Sequence, residues 1–235
     1  MSEQESRATQ YTTIASDVVH ELEVKRSRFI CHLRRVETED AARGLVAELR
    51  RSHFDARHHC SAFVLGADRD VRRSNDDGEP SGTAGAPMLE ALARRATRED
   101  ATDLSDVVAV VVRYFGGVLL GAGGLVRAYS ESVSAALDAA ELVQRQRMRL
   151  VRVETELAAT PRLENDLRAL TGPGAPEVLG TDYGPDGASV RLALPDAPDA
   201  LDGFVGRLAT LTAGAGRLTA GGIDWVDRPA EQAGR

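Results

Sequence analysis

One stretch, Val107 to Ser130, restricts the fold of this 235-residue chain more than any other. Val107-Val-Ala-Val-Val-Val112 is short, unbroken and mostly β-branched, which suits a strand buried on both faces. Arg113 ends the run, and glycines follow in two clusters, Gly116-Gly117 and Gly121, Gly123-Gly124. Leu125, Val126, Tyr129, Val133, Ala136, Leu137 and Ala140 then recur at helical spacing on one face. The stretch reads strand, glycine-rich loop, helix. Such a loop gathers backbone N–H groups beside a helix N-terminus and suits an anion, with Arg113 and Arg127 flanking it. The plainer reading is a tight connection that needs glycine torsions. The spacing matches neither the dinucleotide-binding nor the P-loop fingerprint.

The length accommodates one large or two small domains. Aromatic residues make up only 4%, so the core must be built from Ala, Val and Leu. A net charge of −7 argues against a wholesale nucleic-acid coat, and no DNA partner is expected. A local basic face remains open, because Lys25, Arg26, Arg28, Arg34, Arg35, Arg50, Arg51 and Arg57 fall close together. Cys31 and Cys60 form no paired motif, no charged-then-apolar leader opens the chain, and no apolar run approaches membrane-spanning length. These features predict a cytoplasmic protein with reduced thiols and no membrane partner, possible as a monomer.

Residues 1–14 are expected to be mobile. Glu21 to Val36 looks extended, with Phe29, Cys31 and Leu33 alternating against Ile30, His32 and Arg34. Thr38 can cap a helix with Glu39 and Asp40 in its first turn and Ala42, Leu45, Val46 and Leu49 on its buried stripe. His58 to Leu65 reads as a strand, and Gly66–Asp70 as a hairpin turn into Val71–Ser74. The polar segment Asn75–Gly85 is loop, and Thr83 is the expected cap of the helix carrying Met88, Leu89 and Leu92. The helix after the glycines should run to about Glu141, and the charged Gln144–Arg149 is the expected hinge. The remainder reads βαββαβ, a ferredoxin-like order, with a disordered tail from Arg228.

Two polar groups stand out. Asp76-Asp-Gly-Glu-Pro-Ser-Gly-Thr83 concentrates three carboxylates with Ser81 and Thr83. Crowded carboxylates bind a cation, share a proton, or accept bonds from arginines and backbone N–H groups; the bland alternative is an acidic surface turn. His58 and Cys60 project from one strand face, yet a tetrahedral metal site needs more ligands than are visible, so no metal is expected. A core thiol beside a hydrogen-bonded histidine fits better than a ligand pair or a nucleophile.

Asp55-Ala-Arg-His-His-Cys60, Asp76–Gly85, Pro87-Met-Leu89, Arg113-Tyr-Phe-Gly-Gly117 and Gly121–Tyr129, preceded by Lys25-Arg-Ser-Arg-Phe-Ile30, resemble the IMPACT/YigZ family. The resemblance spans about residues 15–140, and the rest looks like the appended domain of bacterial members. It implies an α/β (α+β) protein. The N-terminal domain, 15–143, would be of the ribosomal-protein domain 2-like left-handed β-α-β type. The C-terminal ferredoxin-like βαββαβ domain, 149–227, would resemble elongation factor G domain V. Ala86 and Leu119 stand where many bacterial relatives have lysine. The implied function is a non-catalytic regulator or accessory factor of translation, one that answers stress. It would bind structured RNA, the ribosome or a translation factor through an N-terminal polar cleft, without a cofactor. The alternative is an enzyme, a hydrolase or transferase acting on a small phosphorylated or peptide-like ligand in the same cleft. The expected ligand-binding residues are Arg28, His58, Asp76, Asp77, Glu79, Ser81, Thr83, Arg113, Tyr114, Gly116, Gly117, Gly121, Gly123, Gly124 and Arg127, with Arg28, Arg113 and Arg127 offsetting the acidic loop.

Overall fold

The computed structural model describes residues 8–172, 174–197 and 199–229. It is a mixed α and β protein, with two five-stranded sheets and five helices among the described residues. The chain divides into two compact units at Gln144/Arg145.

The first unit is organised by its central strand. β1 (Gln10–Ile14), β2 (Val18–Val24) and β3 (Ser27–Arg35) lead into α1 (Glu39–Ser52). β4 (His58–Leu65) and β5 (Val71–Asn75) precede α2 (Gly85–Ala93). β6 (Val107–Tyr114) then runs into α3 (Gly121–Ala139). The sheet order is β2-β3-β6-β4-β5, and each neighbouring pair is antiparallel. β6 is central, and its valines fill both faces as a doubly buried strand requires. Val107, Ala109 and Val111 join α2 and α3, whereas Val108, Val110 and Val112 join α1. Because side chains alternate along a strand, the odd-numbered residues of β3 and the even-numbered residues of β4 share the α2/α3 face. Thr38 caps α1 as expected, accepting from the Ala41 N–H at 3.2 Å.

Three local expectations are corrected. Residues 10–14 form a strand, with Tyr11 and Ile14 buried and the Tyr11 hydroxyl donating to Asp106; residues 1–7 lie outside the described residues. The extended segment Glu21–Val36 is a hairpin turned at Lys25 (φ 48°) and Arg26 (φ 68°). Positive φ on two long side chains leaves no glycine or asparagine signal to read. Finally, Thr83 does not cap α2: its hydroxyl donates to the Pro80 carbonyl at 2.6 Å.

In the second unit, β7 (Leu142–Thr155), α4 (Thr160–Ala169), β8 (Glu177–Gly184), β9 (Gly187–Pro195), α5 (Ala200–Leu211) and β10 (Arg217–Pro229) follow in turn. β9 lies between β7 and β8, antiparallel to both, and β10 pairs with β7. Val151, Val153, Val190, Leu192 and Leu194 pack against Leu163, Leu167, Phe204 and Leu208. The segment Gln144–Arg149, the expected hinge, lies within β7, with Met148 and Arg145 buried in it, and the division between the units falls at its start. Arg228 belongs to β10, whereas residues 230–235 lie outside the described residues.

Candidate functional site

The acidic loop between β5 and α2 folds inward because its carboxylates find donors at the end of the sheet. Asp76 takes the place assigned to Thr83. Its Oδ1 accepts from the Ala84 and Gly85 N–H groups at 3.1 and 2.8 Å, and its Oδ2 from Gly82 N–H at 2.8 Å. These donors include the first orphan N–H groups of α2, so Asp76 caps that helix from eight residues upstream of Ala84. Burial opposes its charge, but the three N–H donors outweigh burial and hold the carboxyl below the usual range.

Asp77 sits in the left-handed region (φ 46°), which aspartate tolerates. Its carboxylate accepts from Arg50 at 2.5 Å and from the His59 N–H at 2.6 Å. Its carbonyl accepts from His58 Nδ1–H at 2.8 Å, which fixes the tautomer and leaves Nε2 as the free nitrogen of that ring. Glu79 is buried. Its Oε1 accepts from Arg113 at 2.5 Å and from the Tyr129 hydroxyl at 2.8 Å, and lies 4.0 Å from His58 Nε2. The Arg113 guanidinium stands over the rings of Phe29 and Phe115 at 5.3 and 5.8 Å. Cys60 Sγ lies 3.0 Å from the Asp76 carbonyl and 3.3 Å from the Tyr129 hydroxyl. Burial pushes this thiol up to about 12, and the neighbouring carboxylates of Glu79, Asp77 and Asp76 push in the same direction. Among the described residues, no group of three or more His, Cys, Asp or Glu side chains is placed to hold a metal ion.

Above this network lies a cleft of about 360 Å³. Its polar lining is Arg57, His58, Glu79 and Arg113. Its apolar lining is Pro80, Phe115, Leu119, Leu120 and Leu125, with Gly121 and Ala122 from the start of α3. The acidic loop and the start of α3 thus meet as expected. The second glycine cluster belongs to the first turn of α3 rather than to a loop. Gly121 lines the cleft, and Gly123 faces open space.

Several expected residues stand elsewhere. Arg28 pairs through two bonds with Glu21, at 2.7 and 2.9 Å, across the β2–β3 ladder. Tyr114 follows Arg113 on the strand and so faces α1, where its hydroxyl donates to Asp55 and accepts from His53 Nδ1. Arg127 and Ser81 are exposed, and among the described residues Arg127 makes no ion pair. Thus Arg113 alone of the three expected arginines offsets the acidic loop, and Arg50 replaces the others. Gly116 has a packing role: a Cβ there would lie 2.0 Å from the Arg26 carbonyl. Gly117 has φ +86° and open space around it. Sequence reasoning missed Tyr129 as a polar partner. A tyrosine on a helix's core stripe is the available signal, because a buried hydroxyl needs an acceptor.

The model of the Impact N-terminal domain matches residues 25–137. A Bacillus subtilis (strain 168) protein named IMPACT family member YvyE is 46% identical over 158 residues, 67% of this chain and 70% of the relative. The Escherichia coli (strain K12) protein named IMPACT family member YigZ is 38% identical over 200 residues, 84% of this chain and 91% of the relative. The chain belongs to the IMPACT family. A crystal structure titled as that of a hypothetical protein is also similar, with a TM-score of 0.57, 34% identity, and coverage of 90% of this chain and 97% of that one. No helix of this IMPACT family member, among the described residues, is long and apolar enough to cross a membrane.

Proposed function

We propose that the chain is a non-catalytic accessory factor of translation that docks a protein component of the translation apparatus through the cleft of its first unit. The observation that carries this reading is the internal use of the loop's charges. Asp76 serves α2, Asp77 serves Arg50 and the His59 N–H, and Glu79 serves Arg113 and Tyr129. The acidic residues therefore shape the cleft instead of reacting in it. Cys60, raised to about 12 and held within the network, is a poor nucleophile at neutral pH. What the cleft presents outward is mostly apolar, with exposed Phe115 and Leu119 in its lining and exposed Val118 between them in sequence. That favours a protein partner over a phosphate backbone, as does the net charge of −7.

Membership of a family tied to translation supports the same reading. So do the domain types we assign. The strand order β10-β7-β9-β8 in a βαββαβ chain fits a ferredoxin-like domain over 149–227. The β3-α1-β4 crossover joins two strands that flank central β6, and we assign this β-α-β unit to the left-handed type over 15–143. The test is capture of the full chain from a bacterial lysate with and without RNase, followed by gradient fractionation. Co-migration with ribosomal subunits or a translation factor that survives RNase is expected. Recovery that vanishes with RNase transfers the role to RNA, and no translation component in either arm overturns the reading.

A further inference from the structure

We infer that the surface around the cleft docks an acidic protein segment, one in which a large apolar side chain is flanked by Asp or Glu. The inference rests on the docking reading and names the chemistry of the partner.

The segment that joins β6 to α3 is apolar and uncovered. Phe115, Val118, Leu119 and Val126 follow one another along it and into the helix, and all four are exposed, Leu119 to 84%. Phe115 and Leu119 also line the cleft, beside Pro80, Leu120 and Leu125. Covering such a strip with apolar side chains removes it from water, and a volume near 360 Å³ has room for one large side chain of that kind.

Free cations border the same strip. Most arginines of the first unit are matched: Arg28 by Glu21, Arg34 by Asp17 and Glu48, Arg50 by Asp77, Arg95 by Asp138 and Arg113 by Glu79. Lys25, Arg26, Arg57 and Arg127 are exposed and make no ion pair among the described residues. Arg57 lines the cleft, with its guanidinium 6.0 Å from the centre of the Phe115 ring. The Lys25–Arg26 turn packs against Gly116, and Arg127 follows Val126 on α3. From Arg113 to Ser130 the sequence holds no carboxylate. Of the carboxylates on flanking elements, Glu79 and Glu21 are matched by Arg113 and Arg28, and Asp55 accepts from Tyr114 on the α1 side. Glu23 lies on β2, and Glu131 one turn beyond Arg127. A chain of net charge −7 thus keeps its unmatched cations beside its uncovered apolar strip, which complements a partner with both acidic and apolar side chains.

An RNA strand is the poorer match. Val118, Leu119 and Val126 are aliphatic and give a base no aromatic face to stack on. A polyanion also runs past these cations onto a protein of net negative charge, whereas a short acidic segment confines its charge to them.

The test selects a displayed library of random dodecapeptides on the full chain at low ionic strength, then titrates the recovered peptide by fluorescence anisotropy. The expected consensus is Leu or Phe flanked by Asp or Glu, with net negative charge and binding that weakens as salt is added. Arg57→Glu and Arg127→Glu should each weaken that peptide about three- to tenfold, because an attraction becomes a repulsion, and Arg57→Lys should change it less than about twofold. Leu119→Ser should weaken it about tenfold or more, and these exposed substitutions should leave Tm unchanged. A neutral or basic consensus, no enriched peptide, or native affinity in both charge-reversed variants overturns the inference. A uridylate dodecamer that binds more tightly than the peptide, and is lost in the same variants, also overturns it and gives the surface to RNA. If no such peptide emerges while capture of translation components persists, this inference falls and the docking reading stands. If the peptide binds and no translation component is captured, the docking reading falls and the acidic-segment surface stands.

Discussion

Replacing Asp76 with alanine isolates the link on which the candidate site depends. Its carboxylate receives three backbone N–H groups at 2.8, 3.1 and 2.8 Å, two of them at the start of α2. Hydrogen bonds to a charged acceptor are worth about 1.5–3 kcal/mol each when buried, and a lost helix cap costs about 0.5–2 kcal/mol. Asp76 is half-buried, so water recovers part of this, and a net cost of about 3 kcal/mol follows for Asp76→Ala. For a chain of this size that is a fall in Tm of roughly 6–12 °C. Asp76→Asn keeps one acceptor oxygen but turns an amide N–H toward a donor, so about half the loss remains. Thr83→Val removes only the bond to the Pro80 carbonyl and should cost about 1 kcal/mol. Thermal melts of the three variants at pH 7 decide the matter. A drop below about 2 °C for Asp76→Ala, or a larger drop for Thr83→Val, refutes the assignment of Asp76 as the cap.

Glu79→Gln should cost about 3–5 kcal/mol, because it strands the buried Arg113 charge; the double variant Glu79→Gln, Arg113→Met should recover much of that in a urea melt. Gly116→Ala should prevent native folding or lower Tm severely, since its Cβ would overlap the Arg26 backbone, whereas Gly123→Ala faces open space in a helix and should hold or raise Tm slightly.

The parts of the fold that were legible in the sequence are those with a strong period. The β6 valines, the two faces of β4 and the apolar stripe of α3 could be read because burial on a fixed side forces a fixed spacing. The Lys25–Arg26 turn was illegible because tertiary pairing of β2 with β3, not turn chemistry, holds two long side chains at positive φ. At the site, the meeting of acidic loop and glycine segment followed from the fold that the family resemblance implies, in which each precedes a helix on one side of the sheet. The partners were not legible. Arg28, Arg113 and Arg127 are equivalent as charges in a sequence, but only Arg113 points to the α2/α3 side and meets Glu79. Asp76 displaced Thr83 as the cap because two carboxylate oxygens satisfy three donors where one hydroxyl satisfies one.

The histidines on the α1 side make stability depend on pH in a direction that can be worked out. The His32 ring lies 5.7 Å from that of His53, which also bonds Tyr114. His32 Nε2 and His59 Nε2 are buried with no hydrogen-bond partner among the described residues. Burial is the main force lowering both His32 and His59 below the ordinary value near 6.5. For His32 the charges of His53 and Arg34 add to the lowering, and Glu48 opposes it. For His59 Asp77 and a hydrogen bond with the His53 backbone oppose it, while the charges of Arg50 and His53 add to it. The unfolded chain therefore binds more protons than the folded chain once the pH drops below about 6.5. The stability contributed by keeping these rings neutral is complete above that pH and is lost as pH falls toward their folded values. The slope is about 1.4 kcal/mol per pH unit for each ring within its window. Asp76 acts lower: its lowered value keeps its contribution intact above about pH 4 and releases it only in stronger acid. Tm measured from pH 7.5 downward should thus fall in two steps, the first beginning near 6.5. The double variant His32→Gln, His59→Gln should abolish the first step and keep the second. A wild-type Tm that is flat or rising between pH 7.5 and 5.5, or an upper step that survives in the double variant, refutes the assignment to these rings.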